Sequence, residues 1–326
     1  MINAEEGRQG AGGAAGDASA ERGGSWRRRG GGSAGDTHLG ASPEGSIRCR
    51  NVGPPVDTGR VGGPHLQFLG HSTVRIELAG HTVLTDPLLT SRVGPLRRVV
   101  PVPAPESYAG VDLVLVSHLH GDHLHLPSLR LVGADVRVVV PRGAGEWMRA
   151  RGFRHVTEVM PGETVTHGAL RVTAVPARHS GHRWGPRLTH GPDTSAVGHL
   201  IQGGGCTVHV AGDTGLTDTM SLLGERGVDV TLLPVSGWGL TLGPGHLDPA
   251  GAAEAAARLR PRVAVPVHWG TLALPGVRSL PRMRRLLVEP PRDFAAAVAA
   301  RGLDTAVVVA EPGQPVPLPA DVGTTT

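Results

Sequence analysis

The sequence predicts two mixed β-sheets packed face to face, with helices on the outside. Three observations support this fold class. Short β-branched and leucine runs follow one another between residues 66 and 86. Later apolar runs are nearly continuous and alternate with helical patterns, as expected for strands that are covered on both faces. Runs of strands followed by strands alternating with helices occur twice along the chain, which makes two packed sheets the economical arrangement.

The first half of the predicted fold begins with an antiparallel meander. Ala79-Gly80 forms the turn between its last two strands. Val111–Ser117 (Val-Asp-Leu-Val-Leu-Val-Ser) is nearly continuous apolar, which predicts a buried strand that ends at His118. The strands expected in this half are 66–68, 73–78, 82–86, 111–117 and 136–140.

In the second half, helical patterns lie between several of the apolar runs. The clearest helix is 249–259, because Asp248 can cap its N-terminus, Pro249 takes the first helical position and the body is rich in alanine. The helices expected along the chain are 145–151, 218–224, 249–259 and 292–300. The strands expected in this half are 170–175, 196–201, 207–211, 230–234, 263–267 and 305–310.

Composition divides the chain into three parts. Residues 1–63 are rich in Gly, Ala and Arg and carry almost no periodic apolar pattern. Such a segment buries too little apolar surface to offset the entropy of ordering, so we expect a disordered leader. Residues 64–316 are predicted to form a single domain with a substantial core, and residues 317–326 a flexible tail.

The charge balance gives little support to a nucleic-acid partner. All 32 basic residues are arginine, but 28 acidic residues reduce the net charge to +4. The leader contributes +1 of this charge (8 Arg against 7 acidic residues), which leaves +3 for the rest of the chain. The high pI therefore reflects the pKa of arginine and not a strongly basic surface.

Cysteine use and hydropathy favour a cytoplasmic location. Cys49 and Cys206 are too few to make a disulfide framework and are expected to be free thiols. No stretch of 18 apolar residues predicts a membrane span, and the N-terminus lacks the apolar segment of a secretory signal.

The motif His118-x-His120-x-Asp122-His123 directly follows the predicted buried strand. His118 and His120 lie two residues apart on an extended segment, so both side chains can turn toward one metal ion. Asp122 and His123, beyond a bend at Gly121, can reach a second ion. We expect a side chain at Gly121 to obstruct the approach of the backbone. The motif alone completes neither set of ligands.

Further ligand types occur where later strands are predicted to end. His179, Asp213 and His268 each follow such a strand. Taken singly, a histidine at a strand end is usually a surface residue, and an aspartate before Thr-Gly is usually a turn former. Because all three recur at the same structural place in a chain that needs more ligands, they are expected to complete a metal site.

These residues resemble the five ordered motifs of the metallo-β-lactamase superfamily, over about residues 65–312. The resemblance implies an α+β four-layer αβ/βα sandwich. Four phrases further resemble the branch that contains L-ascorbate-phosphate lactonase and N-acyl-phosphatidylethanolamine phospholipase D. They are Leu69-Gly70-His71-Ser72-Thr73, Leu84-Thr85-Asp86-Pro87, Pro176-Ala177-Arg178-His179 and Pro266-Val267-His268-Trp269-Gly270-Thr271.

The resemblance implies two divalent metal ions. His118, His120 and His179 would hold the first ion. Asp122, His123 and His268 would hold the second, and Asp213 would bridge both. Imidazole and carboxylate ligands without thiolate suit zinc, with manganese or iron as alternatives. Histidine at position 120, where oxygen-reducing di-iron relatives carry an acidic residue, favours hydrolysis over redox chemistry.

A dinuclear centre of this kind lowers the pKa of a shared water toward about 7 and so supplies hydroxide for hydrolysis. Asp122 and Asp213 are expected to orient that hydroxide. Asp86 resembles the buried aspartate that orients a ligand histidine in the family, although a simple turn before Pro87 explains it equally well. The resemblance to the phospholipase branch implies that His246, just before the helix at 249–259, lies near the metals and contacts substrate or stabilises the developing oxyanion, although an inert loop histidine explains it equally well.

Several other aromatic side chains are weaker candidates for substrate contacts. These residues are His71, His182, Trp184, His190 and Trp238. The remaining histidines of the domain are expected to be surface or core residues, namely His125, His155, His167, His199 and His209.

The function predicted from these residues is a metal-dependent hydrolase of a small-molecule or lipid-like ester, lactone or phosphodiester. A nuclease of the tRNA-processing or DNA-repair type shares the motifs. The weak basic excess and the interval of 55 residues between Asp213 and His268, too short for an inserted clamping domain, disfavour it. A catalytically silent metal-binding regulatory module is the alternative of another class. The loops expected to select the substrate are 88–108, 180–195 and 237–247.

Overall fold

The structure is a computed structural model that describes residues 63–183, 191–237, 239, 241–320 and 322–323. The predicted leader, except Gly63, and part of the predicted tail lie outside the described residues. Every helix and strand of the described part lies between His65 and Val316. The boundaries of the leader, domain and tail stay predictions.

The described residues form two large sheets, one small sheet and short helices. The strands are β1 His65–Gly70, β2 Thr73–Leu78, β3 His81–Thr85, β4 Arg92–Val93, β5 Leu96–Arg98, β6 Leu113–Leu115, β7 Arg137–Pro141, β8 Val156–Val159, β9 Thr164–His167, β10 Leu170–Ser180, β11 Ser195–Gly203, β12 Cys206–Val210, β13 Val230–Pro234, β14 Val263–Val267, β15 Leu272–Ala273, β16 Ala306–Val307 and β17 Pro315–Val316. The α-helices are α1 Leu126–Val132, α2 Gly145–Arg149, α3 Thr219–Glu225, α4 Pro249–Leu259, α5 Pro281–Val288 and α6 Pro290–Ala300, and Pro105–Tyr108 forms a 3₁₀ turn.

Both large sheets of the described part are mixed. The first has the order β17-β1-β2-β3-β6-β7-β8, and the second β16-β14-β13-β12-β11-β10-β9. Strands β1 to β3 form the predicted antiparallel meander, whereas β3, β6, β7 and β8 are parallel. In the second sheet β9 to β12 are antiparallel and β12, β13, β14 and β16 are parallel. The small sheet has the order β15-β5-β4.

The hydrophobic core confirms the sandwich. One cluster joins Phe68 and Ile76 of the first sheet to Val172 and Ile201 of the second, so the two sheets pack face to face. Its outer part includes buried residues of α4 and α6. Another cluster packs β6 and β7 against α1 and α2 on the other side of the first sheet. This succession of helix, sheet, sheet and helix is the predicted four-layer α+β arrangement.

Helix α4 begins as predicted. The Asp248 carboxylate accepts a hydrogen bond from the Gly251 backbone N–H at 2.7 Å, and Pro249 is the first helical residue. The alanines bury one face against the second sheet because their small side chains let the helix approach closely; they are Ala252, Ala253, Ala255 and Ala256.

Several elements differ from the prediction. Helices α1 and α5 and strands β4, β5, β8, β9, β15 and β17 were not predicted, because they are too short or too polar to carry a clear period. The strand expected at 111–117 is regular only over Leu113–Leu115. It ends there because the Ser117 N–H donates to the Asp86 carboxylate at 2.7 Å and not to a neighbouring strand. Only Ala306–Val307 forms a strand within 305–310.

Among the described residues, no helix combines the length and apolar character needed to cross a membrane. Cys206 is buried and has no disulfide partner in the described part of the chain, and Cys49 lies outside the described residues. The cytoplasmic location stays a prediction.

Candidate metal centre

The segment that carries the histidine motif is held between the two sheets. The Val197 N–H of β11 donates to the Ser117 carbonyl at 2.9 Å, which ties the end of β6 to the second sheet. Beyond the motif, one guanidinium nitrogen of Arg183 donates to the carbonyls of Leu119 and Leu124 at 3.0 and 2.6 Å. These contacts fix the backbone on which the motif side chains stand.

Three predicted ligands meet around one point. His118 Nε2 lies 2.9 Å from His120 Nδ1, and His179 Nε2 lies 3.2 Å from the same Nδ1 atom. One potential ligand atom from each of the three residues lies within 4.8 Å of the others. His118 and His120 follow the first sheet, whereas β10 of the second sheet positions His179.

The remaining predicted ligands form an adjoining group. His123 Nε2 lies 3.3 Å from His268 Nε2, and both residues share a potential metal-binding cluster with Asp122. The Asp213 carboxylate reaches both groups. Its Oδ1 lies 3.2 Å from His268 Nε2, and its Oδ2 lies 3.4 Å from His123 Nε2 and 4.0 Å from His179 Nε2. The fold thus brings all seven predicted ligands together.

Hydrogen bonds on the outer side of the rings determine which nitrogen faces the centre. The Nδ1 atom of His179 donates to the Gly245 carbonyl at 2.9 Å, and Nδ1 of His268 donates to the Ser236 carbonyl at 2.7 Å. Nδ1 of His123 donates to the Asp86 carboxylate at 2.9 Å. Because these oxygens only accept hydrogen bonds, Nδ1 carries the hydrogen, and in the neutral ring Nε2 presents a lone pair.

These converging lone pairs fit a metal site. Nε2 of His123 and Nε2 of His268 lie 3.3 Å apart and both face the Asp213 carboxylate, so this position calls for a positive charge, either a proton on His123 or a metal ion in its place. The donor set contains imidazole nitrogen and carboxylate oxygen without thiolate, which zinc, manganese and iron all accept. The chemistry of the residues present therefore fits divalent metal.

The pKa values of the metal-free site follow from burial and close charges. Burial lowers the pKa of His268 to about 3, and it lowers the pKa of His120 to about 4. Burial also disfavours the charged form of His123, but Asp213 and Asp86 outweigh it and raise the pKa of His123 well above the usual value. Burial raises the pKa of Asp213, yet His268 and His123 hold it well below the usual range. A proton on His123 thus balances the buried carboxylates.

Asp86 lies directly beneath the centre. One carboxylate oxygen accepts the Ser117 N–H at 2.7 Å, and the other accepts the Ser117 hydroxyl at 2.7 Å together with His123 Nδ1. Ser117 Oγ also lies 3.0 Å from His118 Nδ1. These contacts go beyond those of a simple turn before Pro87 and suit the orientation of two ligand histidines.

His71 is placed differently from a residue at the substrate mouth. Its side chain is only 2% exposed, and its Nε2 lies 3.0 Å from the Asp122 carboxylate. Its ring also packs 4.0 Å from the ring of His268. The His71 N–H donates to the Thr271 hydroxyl at 2.6 Å, while its carbonyl accepts the His268 N–H at 2.7 Å. This geometry suits the positioning of Asp122 and His268 better than the substrate contact expected from the sequence.

His246 and His182 lie on the solvent side of the centre. The His246 side chain is 23% exposed, and its Nε2 lies 3.5 Å from Asp213 Oδ2. A hydrogen bond to Asp213 raises the pKa of His246. His182 is exposed, and its ring centre lies 5.5 Å from that of His120. The other proposed substrate contacts lie outside the described residues; they are Trp184, His190 and Trp238.

The expectation for Gly121 is wrong. A Cβ atom at Gly121 would meet only Val93 Cγ1, at 3.5 Å, which is an ordinary van der Waals distance. The crowded glycine is Gly212, which precedes Asp213. Its φ is +62°, and an added Cβ would lie 2.6 Å from Ser117 Cβ. The loop with Asp213 therefore needs a glycine, whereas the loop with Asp122 does not.

Sequence reasoning missed three residues that shape the centre: Ser117, Arg183 and Thr271. Ser117 carried a weak signal, since it lies directly before His118 at the strand end. Thr271 stood in a phrase that carries the family resemblance but was given no role, and Arg183 carried no signal, because their partners lie about 200 and 60 residues away along the chain. Of the histidines assigned to surface or core, His199 and His209 are buried and His155 is exposed.

Comparison with known proteins identifies the family of the chain. The family model described as "Beta-lactamase superfamily domain" matches residues 81–269, more than half of the chain. A UPF0173 metal-dependent hydrolase from Opitutus terrae is 36% identical over 256 residues, covering 77% of this chain and 98% of the relative. Its counterpart from Methanopyrus kandleri is 32% identical over 260 residues, covering 76% of this chain and 97% of the relative.

A solved structure is also similar. It is Igni18, a metallo hydrolase from Ignicoccus hospitalis, with 26% identity, a TM-score of 0.59, and coverage of 78% of this chain and 97% of that chain. The likeness to the lactonase and phospholipase D branch stays a prediction. The chain belongs to the metallo-β-lactamase superfamily, in the UPF0173 group, and is a metal-dependent hydrolase.

Proposed function

We propose that this hydrolase uses two divalent metal ions, with zinc as the first choice, to cleave an ester, lactone or phosphodiester bond. The substrate is a small or lipid-like molecule. The observation that carries the proposal is the convergence of seven ligand side chains, with three rings fixed by outward hydrogen bonds from Nδ1. His118, His120 and His179 would hold one ion, Asp122, His123 and His268 would hold the other, and Asp213 would be shared by the two ligand sets.

When bound, the metal ions supply a hydroxide nucleophile at neutral pH and polarise the substrate oxygen. The side chains of the centre supply orientation. Asp213 is held among three ring nitrogens and is placed to accept a hydrogen bond from the nucleophile. The His71 ring fixes the Asp122 carboxylate from behind at 3.0 Å. Both carboxylates thus keep one orientation during the reaction.

His246 is the side chain best placed to act on the substrate itself. It lies on the solvent side of Asp213, and its Nδ1 donates to the Gly243 carbonyl at 3.1 Å. When protonated, its Nε2–H points toward the centre, where it can stabilise an oxyanion or donate a proton to the leaving group. Asp213 supports that proton by raising the pKa of His246.

The described chain between Asp213 and His268 favours a small substrate over a nucleic acid. It consists of α3, β13, α4, β14 and their loops, without an added domain in the described part. The small net charge of +4 also provides little attraction for a polyanion.

Metal analysis and a hydrolysis assay test the proposal. Protein purified without chelators is expected to carry close to two equivalents of metal and to hydrolyse bis-p-nitrophenyl phosphate. His120→Ala and Asp213→Ala are expected to abolish turnover while circular dichroism shows the fold retained. His155→Ala, at an exposed histidine, is the matched control and should keep full activity.

Two results would contradict the proposal in different ways. Absence of bound metal would exclude the dinuclear mechanism. Full activity in both ligand variants would leave the mechanism open but would refute the ligand assignment.

A further inference from the structure

A cavity of about 600 Å³ borders the metal centre. Its lining includes one cation, one carboxylate, three apolar side chains and a residue of the centre itself: Arg178, Asp248, Leu216, Leu242, Leu247 and His246. His246 also lies 3.5 Å from Asp213, so the cavity and the centre share a wall. A molecule in this cavity therefore lies next to the proposed site of hydrolysis.

Arg178 is positioned by the same backbone that holds two proposed ligands. It directly precedes His179, and its N–H donates to the Thr214 hydroxyl at 2.9 Å. Its carbonyl accepts the Gly215 N–H at 3.0 Å. The side chain runs beside Gly215, where an added Cβ would lie 3.6 Å from Arg178 Nε. The strand and the loop after Asp213 thus hold the backbone of Arg178 in place.

The Arg178 guanidinium has no acidic partner within 4.0 Å among the described residues. The acidic group of the same cavity, Asp248, is already engaged. Its carboxylate caps the Gly251 N–H at 2.7 Å and faces the positive end of α4. The cavity therefore presents a cation that forms no ion pair with the carboxylate of the same cavity.

The remaining wall is apolar. Leu216 is half-buried, Leu247 is buried, and Leu242 is 37% exposed. Gly245 closes the rim, since its carbonyl accepts His179 Nδ1 and its φ of +80° allows the loop to approach the ligand strand. Apolar walls beside an exposed cation suit an amphipathic anion.

We propose that this cavity binds the substrate and that Arg178 binds an oxyanion group, a carboxylate or a phosphate, separate from the bond that is cleaved. The inference rests on the proposed function and names its substrate class: an anionic ester or lactone with an apolar spacer between the charge and the reacting group. Arginine suits this role because its planar donors match the two oxygens of a carboxylate or phosphate. Arg178 is thus a specificity-determining residue.

A matched pair of esters tests the proposal. Mono(4-nitrophenyl) glutarate carries a terminal carboxylate, and 4-nitrophenyl pentanoate carries a methyl group in its place. The metal-loaded enzyme is expected to prefer the glutarate by about tenfold in kcat/KM, the value of one charge-assisted hydrogen bond. Arg178→Met is expected to remove this preference by raising the KM for the glutarate ester. Arg178→Lys is expected to retain part of the preference. 4-Nitrophenyl 4-phosphonobutanoate shows whether a phosphonate replaces the carboxylate.

Arg292→Met is the control, because Arg292 is exposed at the start of α6 and does not line the cavity. This variant should keep the preference. The preference of the unaltered enzyme should also fall as salt rises, which checks the charge without a substitution. An equal kcat/KM for the two esters, or a preference that survives Arg178→Met, would overturn the inference while the proposed function stands. Metal-loaded protein that hydrolyses neither ester nor bis-p-nitrophenyl phosphate would overturn both.

Discussion

Three residues of the centre adopt a left-handed backbone conformation that non-glycine residues rarely take. The φ angles are +57° for His71, +34° for Asp86 and +61° for His268. Each such residue costs about 1–3 kcal/mol and persists only where its surroundings determine it. Here the hydrogen bonds between His71, His268 and Thr271 and those from Ser117 to Asp86 hold the three residues in this conformation. The backbone strain therefore coincides with the metal centre.

Gly212→Ala is expected to destabilise the protein, and Gly121→Ala is not. At Gly212, the positive φ and the short distance to Ser117 Cβ require the loop to shift, at a cost of about 1–3 kcal/mol. At Gly121 the added methyl group finds an ordinary contact, so the change should stay within about 0.5 kcal/mol. Urea denaturation of both variants measures the difference. An equal decrease in the free energy of unfolding of the two variants would contradict the steric argument.

Asp86→Asn is expected to weaken metal binding by about 10–100-fold without loss of the fold. Asparagine tolerates the left-handed backbone, but its amide NH₂ cannot accept the hydrogen bonds that both carboxylate oxygens accept from Ser117 and His123. Competition with a chelating dye measures the affinity. Asp135→Asn, at an exposed carboxylate, is the control. Unchanged affinity in Asp86→Asn would leave Asp86 with a turn-forming role only.

At the scale of elements, the strands of the second sheet carry two core histidines. His199 of β11 and His209 of β12 are both buried, and the latter ring bonds the Thr231 hydroxyl at 2.9 Å. Burial lowers the pKa of His199 to about 4, and burial together with the neighbouring His199 lowers the pKa of His209 to about 4. Both rings are therefore neutral within the folded strands at neutral pH.

These strands should make the fold sensitive to acid. Between pH 6.5 and 4 the unfolded chain binds more protons than the native chain, so the free energy of unfolding falls as pH falls through this window. Each histidine accounts for at most about 3 kcal/mol. Urea denaturation with chelator at pH 7.5 and 4.5 should show a smaller loss for His199→Gln, which does not titrate. An equal decrease in the free energy of unfolding between pH 7.5 and 4.5 in variant and parent would show that His199 does not contribute to the acid sensitivity.

At the scale of the whole molecule, the proposed ligands come from both sheets. His118, His120 and His123 follow β6 of the first sheet, whereas His179, Asp213 and His268 belong to or follow strands of the second. The centre therefore lies where the two sheets meet. Metal ions held there would join the sheets through ligand bonds in addition to the shared hydrophobic core.

Metal removal is consequently expected to lower the melting temperature. Free metal at about 100 times its Kd stabilises the native state by about 2.7 kcal/mol, which corresponds to roughly 5 °C or more for a domain of this size. Calorimetry with chelator and then with added zinc measures the shift. Asp213→Asn, which removes a charged ligand, should respond much less to zinc. A melting temperature independent of metal would contradict a centre that joins the sheets.

Much of the fold and of the candidate site was predictable because its signals are local. Strands β13 and β14 are continuous apolar runs, and α4 carries its own cap, so each was recognisable without a partner. The candidate ligands were recognisable by residue type and by their place after predicted strands. Strands β4 and β15 were not predictable, since two residues carry no period and pair only in the folded chain.

The sequence by itself determined the layered architecture and the choice of seven candidate ligands, because hydrophobic period and ligand chemistry are properties of short segments. Only the tertiary structure decided which glycine is crowded, that His71 is buried beneath Asp122, and that Arg178 faces a cavity without an acidic partner among the described residues. The physical reason is common to all three. Steric contact, burial and charge pairing depend on residues far apart in the chain that packing brings together.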